Sequence, residues 1–227
     1  MSKITKKVYP VMGMHCAACA NNVEKIVKKQ EGVEDASVNL AAAVLTVDFN
    51  SDVVSPEQLK DAVMKIGFDL IIDEDNSMEE QEEAEHSYYE QLQRKTVVAW
   101  IFALPVAFMG MFFMDFPGIN WWMLVLSLPV LFYSGHAFYV NAWKQAKHFT
   151  SNMDTLVALS TSIAFLFSLF NTLYPQFWYE QGLEPHVYYE AATVIIAFVL
   201  VGKLMEEKAK GKTSMAIRKL MGLQPKT

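Results

Sequence analysis

The sequence predicts an α+β soluble domain followed by an all-α, multi-pass membrane region of four helices. The 227-residue chain is 52% hydrophobic with a formal net charge of -6, yet most acidic residues precede residue 96 and four long stretches after it are almost free of charge. Before residue 73, strand and helix patterns alternate instead. This composition excludes a disordered chain and a nucleic-acid binder.

The α+β domain is predicted over residues 1–73. Strand-like runs, one of which (43–49) alternates with period two, indicate strands at 6–12, 33–40, 43–49 and 68–72, and helical spacing indicates helices at 17–30 and 56–66. The order βαββαβ is that of a ferredoxin-like sandwich. The predicted core consists of Val8, Val23, Val27, Val38, Leu45, Val47, Leu59, Val63 and Ile66.

The membrane region is predicted over residues 96–206, after an acidic linker or exposed helix at 74–95. Each predicted span reaches the ~20 residues that a bilayer core requires. Basic residues flank one side of the spans, whereas the loops 115–120 and 174–186 contain none, which places both termini in the cytosol. The lipid bilayer is therefore a predicted partner, in a cell (plasma or inner) membrane. The four spans are 96–114, 121–143, 153–173 and 187–205.

The second predicted span has an unusual second half. Gly135 ends an apolar segment that is short for a bilayer, and polar and aromatic residues alternate after it. We expect a kink at Gly135 and an amphipathic half-helix at the interface that presents Lys144 and Lys147 as a basic platform for a partner. The alternative is one straight, tilted span with a polar end.

Cys16 and Cys19 are the only cysteines, and they lie three residues apart at a strand-to-helix turn. The start of a helix lowers thiol pKa and favours the thiolate. Two sulfurs cannot complete a tetrahedral zinc site locally, whereas Cu(I) or Ag(I) accepts few, soft ligands. A thioredoxin-like redox pair and purely structural cysteines are the alternatives.

Several motifs occur in an order that resembles a known family. Gly-Met-His-Cys-Ala-Ala-Cys at 13–19, with Gly67-Phe68, resembles the heavy-metal-associated domain of copper chaperones and copper-transporting P-type ATPases. The later motifs resemble the first two core helices of copper-transporting P1B-type ATPases, and 96–143 resembles the two helices that precede them. These later motifs are Asn152-Met153-Asp154-Thr155-Leu156-Val157, Tyr189-Glu190-Ala191-Ala192, Gly202 and Glu206.

The resemblance implies ATP-driven export of Cu(I), with a cytosolic copper chaperone as partner. Cys16 and Cys19 would bind the ion, Met153 and Glu206 would form the cytosolic loading site, and Glu190 would lie on the release path. Residues 207–227 would begin an actuator domain. The sequence contains no Cys-Pro-Cys and no Asp-Lys-Thr-Gly-Thr motif, so ATP and Mg²⁺ would act through other domains and this chain alone is expected to be inactive.

Two other functions remain open. One is a zinc or cadmium exporter of the same superfamily, against which His15 and Met153 argue, because a thioether is a poor zinc ligand. The other is a non-enzymatic, membrane-anchored copper-binding module.

Overall fold

The computed structural model describes residues 4–72, 77–113, 116 and 118–221, except for the side chains of 77–85 and 210–221. The described residues form two compact units. The first contains those of Met1–Glu90, Trp143–Met153 and Met205–Thr227, and the second contains those of Gln91–Ala142 and Asp154–Leu204.

The first unit contains the predicted βαββαβ domain. Its four strands form one sheet in the order β2-β3-β1-β4, and each neighbouring pair is antiparallel. The ferredoxin-like fold class is thereby confirmed. The elements are β1 (Ile4–Met12), α1 (Ala17–Lys28), β2 (Val33–Asn39), β3 (Val44–Asn50), α2 (Pro56–Lys65) and β4 (Asp69–Leu70).

Local sequence signals explain where the second helix of this domain begins. The Ser55 side chain accepts a hydrogen bond from the Gln58 backbone, and the Gln58 side chain accepts one from the Ser55 backbone. This capping box satisfies two backbone donors at the helix start, and Pro56 has a φ suited to the first turn. The helix therefore begins where the sequence predicts.

The domain core lies between the sheet and the two helices. Seven of the nine predicted core residues are buried there, among them Val23, Leu45 and Ile66. The prediction for Val8 was wrong, because its side chain is 57% exposed. Side chains alternate along β1, so Tyr9 and Val11 face the core and Val8 faces away from it.

One continuous helix, α3 (Ser77–Phe112), covers most of the predicted linker and the first predicted span. Of these two predicted segments, residues 74–76 and 114 lie outside the described residues. The part from His86 to Phe112 is long and apolar enough to cross a membrane. The linker is thus largely helical, as one of its two sequence interpretations proposed.

A bend interrupts the second predicted span. Helix α4 (Ile119–Pro129) continues into a π-helical segment, Val130–Ser134, and α5 (His136–Lys147) leaves it at 59°. The Gly135 N–H donates to the Val130 carbonyl across the wider turn (2.8 Å). A π-helical turn is a known cause of sharp helix kinks, and Pro129 precedes it. The expected kink at Gly135 is therefore present, and the alternative of one straight, tilted span was wrong.

The remaining helices are α6 (Met153–Leu173), the short α7 (Gln176–Tyr179) and α8 (Tyr189–Met221). Helix α6 has the predicted bounds and can also cross a membrane, and the bent pair counts as a third crossing if it forms one span. Helix α8 runs through the predicted boundary between membrane region and actuator domain without a break. Its residues 189–206 include the charged residues Glu190, Lys203 and Glu206, and α8 is not among the candidate spans found in the described residues. The count of four spans therefore stays a prediction.

Candidate metal centre

The loop between β1 and α1 presents both cysteines at the start of a helix. Gly13 turns the chain with a φ of +85°, a conformation that favours glycine. Met14 is then buried in the domain core and anchors the loop. Cys16 is the N-cap residue of α1, and its Sγ accepts a hydrogen bond from the Cys19 N–H at 3.3 Å. The local sequence thus fixes the positions of both thiols.

The two thiols lie side by side. Their Sγ atoms are 2.7 Å apart, Cys16 is half-buried and Cys19 is buried, and neither is in a disulfide. Within the described ranges, no group of three or more His, Cys, Asp or Glu side chains is arranged to hold a metal ion. The pair therefore offers two soft sulfur donors, a set that suits a monovalent soft ion.

The surroundings of Cys19 change its acidity. The pKa of the Cys19 thiol is raised from 9.0 to about 11, mainly by burial and also by the hydrogen bond with Cys16, while the His15 backbone and the Asn152 amide act in the opposite direction. The expectation that the helix start lowers thiol pKa is thus wrong for Cys19, because desolvation of the thiolate outweighs the backbone donors.

His15 precedes the thiol pair and is almost enclosed, with its side chain 4% exposed. Its Nδ1 lies 3.2 Å from Glu206 Oε2 and 3.5 Å from Glu207 Oε1, and its Nε2 lies 3.0 Å from the Tyr88 hydroxyl. The His15 and Tyr88 rings are stacked, with centroids 6.2 Å apart. The loop thus contacts α3 and the predicted loading carboxylate.

Three amide side chains of the first unit, those of Asn22, Gln145 and Asn152, form hydrogen bonds near the thiol pair. Asn22 of α1 donates to Gln145 Oε1 at 3.3 Å and to the Ser151 carbonyl at 3.2 Å. Asn152 donates to Cys19 Sγ at 3.7 Å. The contacts bring the thiols to the segment that ends immediately before Met153.

The other predicted site residues are divided between the two units. Met153 and Glu206 belong to the first unit, as do Lys144 and Lys147, which are exposed on α5. The Lys147 ammonium group lies 5.5 Å from the centroid of the Trp143 ring. Between these two lysines lies Gln145, which accepts a hydrogen bond from Asn22 of the βαββαβ domain.

Gly135 and Glu190 belong to the second unit. A Cβ atom at Gly135 would lie 2.8 Å from the Leu131 carbonyl oxygen, so the bend requires glycine. Glu190 lies against Gly110, and its Oε2 is buried without a hydrogen-bond partner among the described residues. A buried carboxylate oxygen without a partner is costly in an apolar helix and marks Glu190 as a functional candidate.

Sequence reasoning missed a charged pair and the contacts of the loop. Lys203 and Asp154 form an ion pair in the second unit, and Asn141 donates to Asp154. A lysine within an apolar stretch is a signal that could have found this pair, since such a charge needs a partner. No comparable signal points to the contacts of His15 or Asn22, because their partners are distant in sequence.

Comparisons with known proteins agree with the chemistry of the loop. Residues 8–69 match the heavy-metal-associated domain family. The chain is 40% identical to the "Probable copper-transporting ATPase PacS" of Synechococcus elongatus, over 99% of this chain and 32% of that protein. It is 38% identical to the "Copper-exporting P-type ATPase" of Bacillus subtilis, over 99% of this chain and 29% of the relative.

A solved structure matches the first domain. It is the N-terminal domain of a "Potential Copper-translocating P-type ATPase" from Bacillus subtilis in the Cu(I)-loaded state, 43% identical over 30% of this chain and 86% of that one, with a TM-score of 0.30. The chain spans about a third of the length of the curated relatives that it matches.

Proposed function

The chain belongs to the copper-transporting P-type ATPases and corresponds to their N-terminal portion. We propose that it is the copper-binding and loading part of an ATP-driven Cu(I) exporter. The observation that carries this proposal is the pair of free thiols at the start of α1, with Sγ atoms 2.7 Å apart. Thiolates select soft monovalent ions, so Ag(I) would bind in the same way.

Copper binding would occur in two places in this chain. Cys16 and Cys19 would take the ion from solution or from a cytosolic copper chaperone, and Met153 with Glu206 would form the loading site of the membrane part. A thioether is a soft ligand and a carboxylate assists capture of a cation. The contact of Asn152 with Cys19 supports this sequence of events, because Met153 is the next residue.

Glu190 would act at a later step, on the release path. It lies 16 residues before Glu206 on the same continuous helix, α8. That separation corresponds to about 24 Å along a helix axis, close to the depth of a hydrocarbon core. One ion cannot contact both carboxylates, so loading and release would be separate steps.

The basic platform would receive the chaperone. The bend at Gly135 turns α5 away from α4 by 59°, and Lys144 and Lys147 are exposed on α5. These charges would attract an acidic partner surface.

ATP and Mg²⁺ would act through domains that carry the phosphorylated aspartate. Membranes with residues 1–227 alone should therefore show no copper-stimulated phosphate release.

Titration of the 227-residue chain with Cu(I), under reducing conditions and against a chromophoric chelator, tests the proposal. We expect the thiol pair to bind one ion with high affinity, and this high-affinity binding to be lost when Cys16 and Cys19 are both replaced by Ser. The circular dichroism spectrum should change little, because Ser is close to Cys in size and the remaining buried core residues, among them Val23, Leu45 and Ile66, stay in place. Tight stoichiometric binding in the double variant, or a preference for Zn(II) over Cu(I), would contradict the proposal.

The separate steps can be tested in vesicles that contain the complete pump. Met153→Leu or Glu206→Ala should weaken copper loading in a single turnover, whereas Glu190→Ala should spare loading and slow release. Met205→Leu is the matched control, since Met205 is 68% exposed and lies beside Glu206. Loss of loading in Glu190→Ala together with slowed release alone in Glu206→Ala would overturn the assignment.

A further inference from the structure

We propose that Asn171 is a positioning residue for copper release, because its side chain fixes the backbone from which Glu190 projects. Asn171 lies in the last turn of α6, within the second unit, and is 1% exposed. Helix α8 begins at Tyr189, so Glu190 is its second residue. The role of Glu190 in release rests on the proposed function, whereas the contacts of Asn171 do not depend on it.

Both ends of the Asn171 carboxamide form hydrogen bonds with the chain that leads to α8. Its Nδ2 donates to the His186 carbonyl at 2.5 Å, and its Oδ1 accepts from the Trp178 indole Nε1 at 2.8 Å. An indole N–H can only donate and a carbonyl oxygen can only accept. The two partners therefore require a donor at one end of the side chain and an acceptor at the other. An amide meets this requirement, whereas an ionised carboxylate of the same shape does not.

Two further side chains of α6 hold the residues directly before Glu190. Ser168 Oγ accepts a hydrogen bond from the Tyr188 N–H at 2.6 Å. Thr172 Oγ1 lies 3.0 Å from the Tyr189 hydroxyl, and both of these residues are buried. Buried hydrogen bonds of this kind are strengthened by the low local dielectric. The end of α6 thus determines where the first turn of α8 lies.

The backbone has a large influence on the position of Glu190. One oxygen of its carboxylate, Oε2, is buried without a hydrogen-bond partner among the described residues. The segment 174–188 connects α6 to α8 and contains only the short α7. A connection of this length is mobile unless contacts hold it. Asn171 holds it at Trp178 and again at His186, so loss of these contacts should displace Glu190 without removing it.

Hydrogen–deuterium exchange in the copper-free 227-residue chain in nanodiscs tests the contacts. Asn171→Asp keeps the shape of the side chain and the acceptor for Trp178, but it lacks the donor for the His186 carbonyl. We expect the peptide that contains the Tyr188 amide to exchange roughly tenfold faster in this variant, through loss of a hydrogen bond. Unchanged exchange in Asn171→Asp would overturn the proposal.

Two other variants keep the exchange measurement specific. Gln176→Glu makes the same chemical change at an exposed position of α7 and should leave the exchange unchanged. Trp178→Phe keeps an aromatic ring and removes only the indole N–H, so it should accelerate exchange in the same direction. Trp178→Phe takes the place of Asn171→Asp in both tests if the latter does not fold, and unchanged exchange in it would then overturn the proposal.

Single-turnover kinetics in vesicles with the complete pump separate positioning from a purely structural role. Asn171→Asp should slow copper release about tenfold and leave loading unchanged, because ångström-scale misplacement of an acting group is costly. Unchanged release, or equal loss of loading and release, would overturn the positioning role. Unchanged release in Glu190→Ala would instead contradict the proposed function of Glu190, and the exchange measurement would still decide whether Asn171 holds the start of α8.

Discussion

Lys203 and Asp154 form a buried ion pair, with Lys203 Nζ 2.6 Å from Asp154 Oδ1. The second carboxylate oxygen accepts a hydrogen bond from Asn141 at 2.8 Å, and the ammonium group lies 4.6 Å from the centroid of the Phe138 ring. The pair joins α6 to α8, and its two additional contacts reach α5. Asp154 follows Met153 directly in sequence, and Lys203 lies one helical turn before Glu206 on α8.

The first prediction concerns this pair. Lys203→Met leaves a buried carboxylate without its counter-charge, and we expect it to lower the stability of the chain by about 3–5 kcal/mol. The double variant Asp154→Asn with Lys203→Met removes both charges and should lose less than the single variant. Thermal unfolding in detergent measures the difference, and Lys208→Met, at an exposed position on the same helix, is the control. A double variant as unstable as the sum of both single variants would contradict the expectation.

The bend after the π-helical segment should depend on the absence of a side chain at residue 135. A Cβ atom there would lie 2.8 Å from the Leu131 carbonyl oxygen and 3.1 Å from Ile196 Cδ1. We expect Gly135→Ala to cost about 1–3 kcal/mol in thermal stability through overpacking. Gly202→Ala is the matched control, because no atom lies within 4 Å of its added Cβ, and it should be neutral or stabilising by up to about 1 kcal/mol. Equal effects of the two variants would argue against a packed bend.

The position of the Glu190 side chain should depend on the absence of a side chain at Gly110. A Cβ at Gly110 would lie 3.1 Å from Glu190 Cγ and 3.3 Å from its Cδ, so the carboxylate would have to shift. In the complete pump, Gly110→Ala should therefore slow single-turnover copper release in the same direction as Glu190→Ala and leave loading unchanged. Gly202→Ala again serves as the control. Unchanged release in Gly110→Ala would show that the position of this carboxylate is not critical.

The two thiols should differ in reactivity in the copper-free chain. Cys19 is 3% exposed and the pKa of its thiol is raised to about 11, mainly by burial, whereas Cys16 is half-buried. Iodoacetamide should therefore modify Cys16 several-fold faster than Cys19 at neutral pH, as measured by mass spectrometry of the peptides. In denaturant the two rates should become similar. Faster modification of Cys19 in the folded chain would contradict the described loop.

Lys144 and Lys147 should act on the rate of copper delivery and not on copper affinity. Lys144→Glu with Lys147→Glu reverses two exposed charges on α5 and should slow transfer from an acidic chaperone at low salt. Binding at Cys16 and Cys19 should be unchanged. Because salt screens exposed charges, the difference should shrink as ionic strength rises. Identical delivery kinetics at low salt would remove the platform from the mechanism.

Local patterns in the sequence determined a large part of the fold. Strand-like runs and helical spacing predicted the six elements of the first domain, and Ser55 with Pro56 and Glu57 marked a helix start. The spacing of Cys16 and Cys19 placed both thiols in one turn. A glycine between a short apolar segment and an amphipathic one predicted the bend at Gly135. These features depend on residues a few positions apart, so the physical causes are readable from the chain itself.

The tertiary structure decided what depends on burial and on distant contacts. Alternation along β1 permits either face to point inward, and packing selected Tyr9 and Val11 over Val8. Desolvation reversed the expected pKa shift of Cys19. His15 and Glu206 are 191 residues apart, and no periodicity couples them. The sequence by itself determined which soft and ionisable side chains the chain carries and where helices begin. Only the folded chain determined which of these side chains are enclosed together, because enclosure is a property of long-range packing.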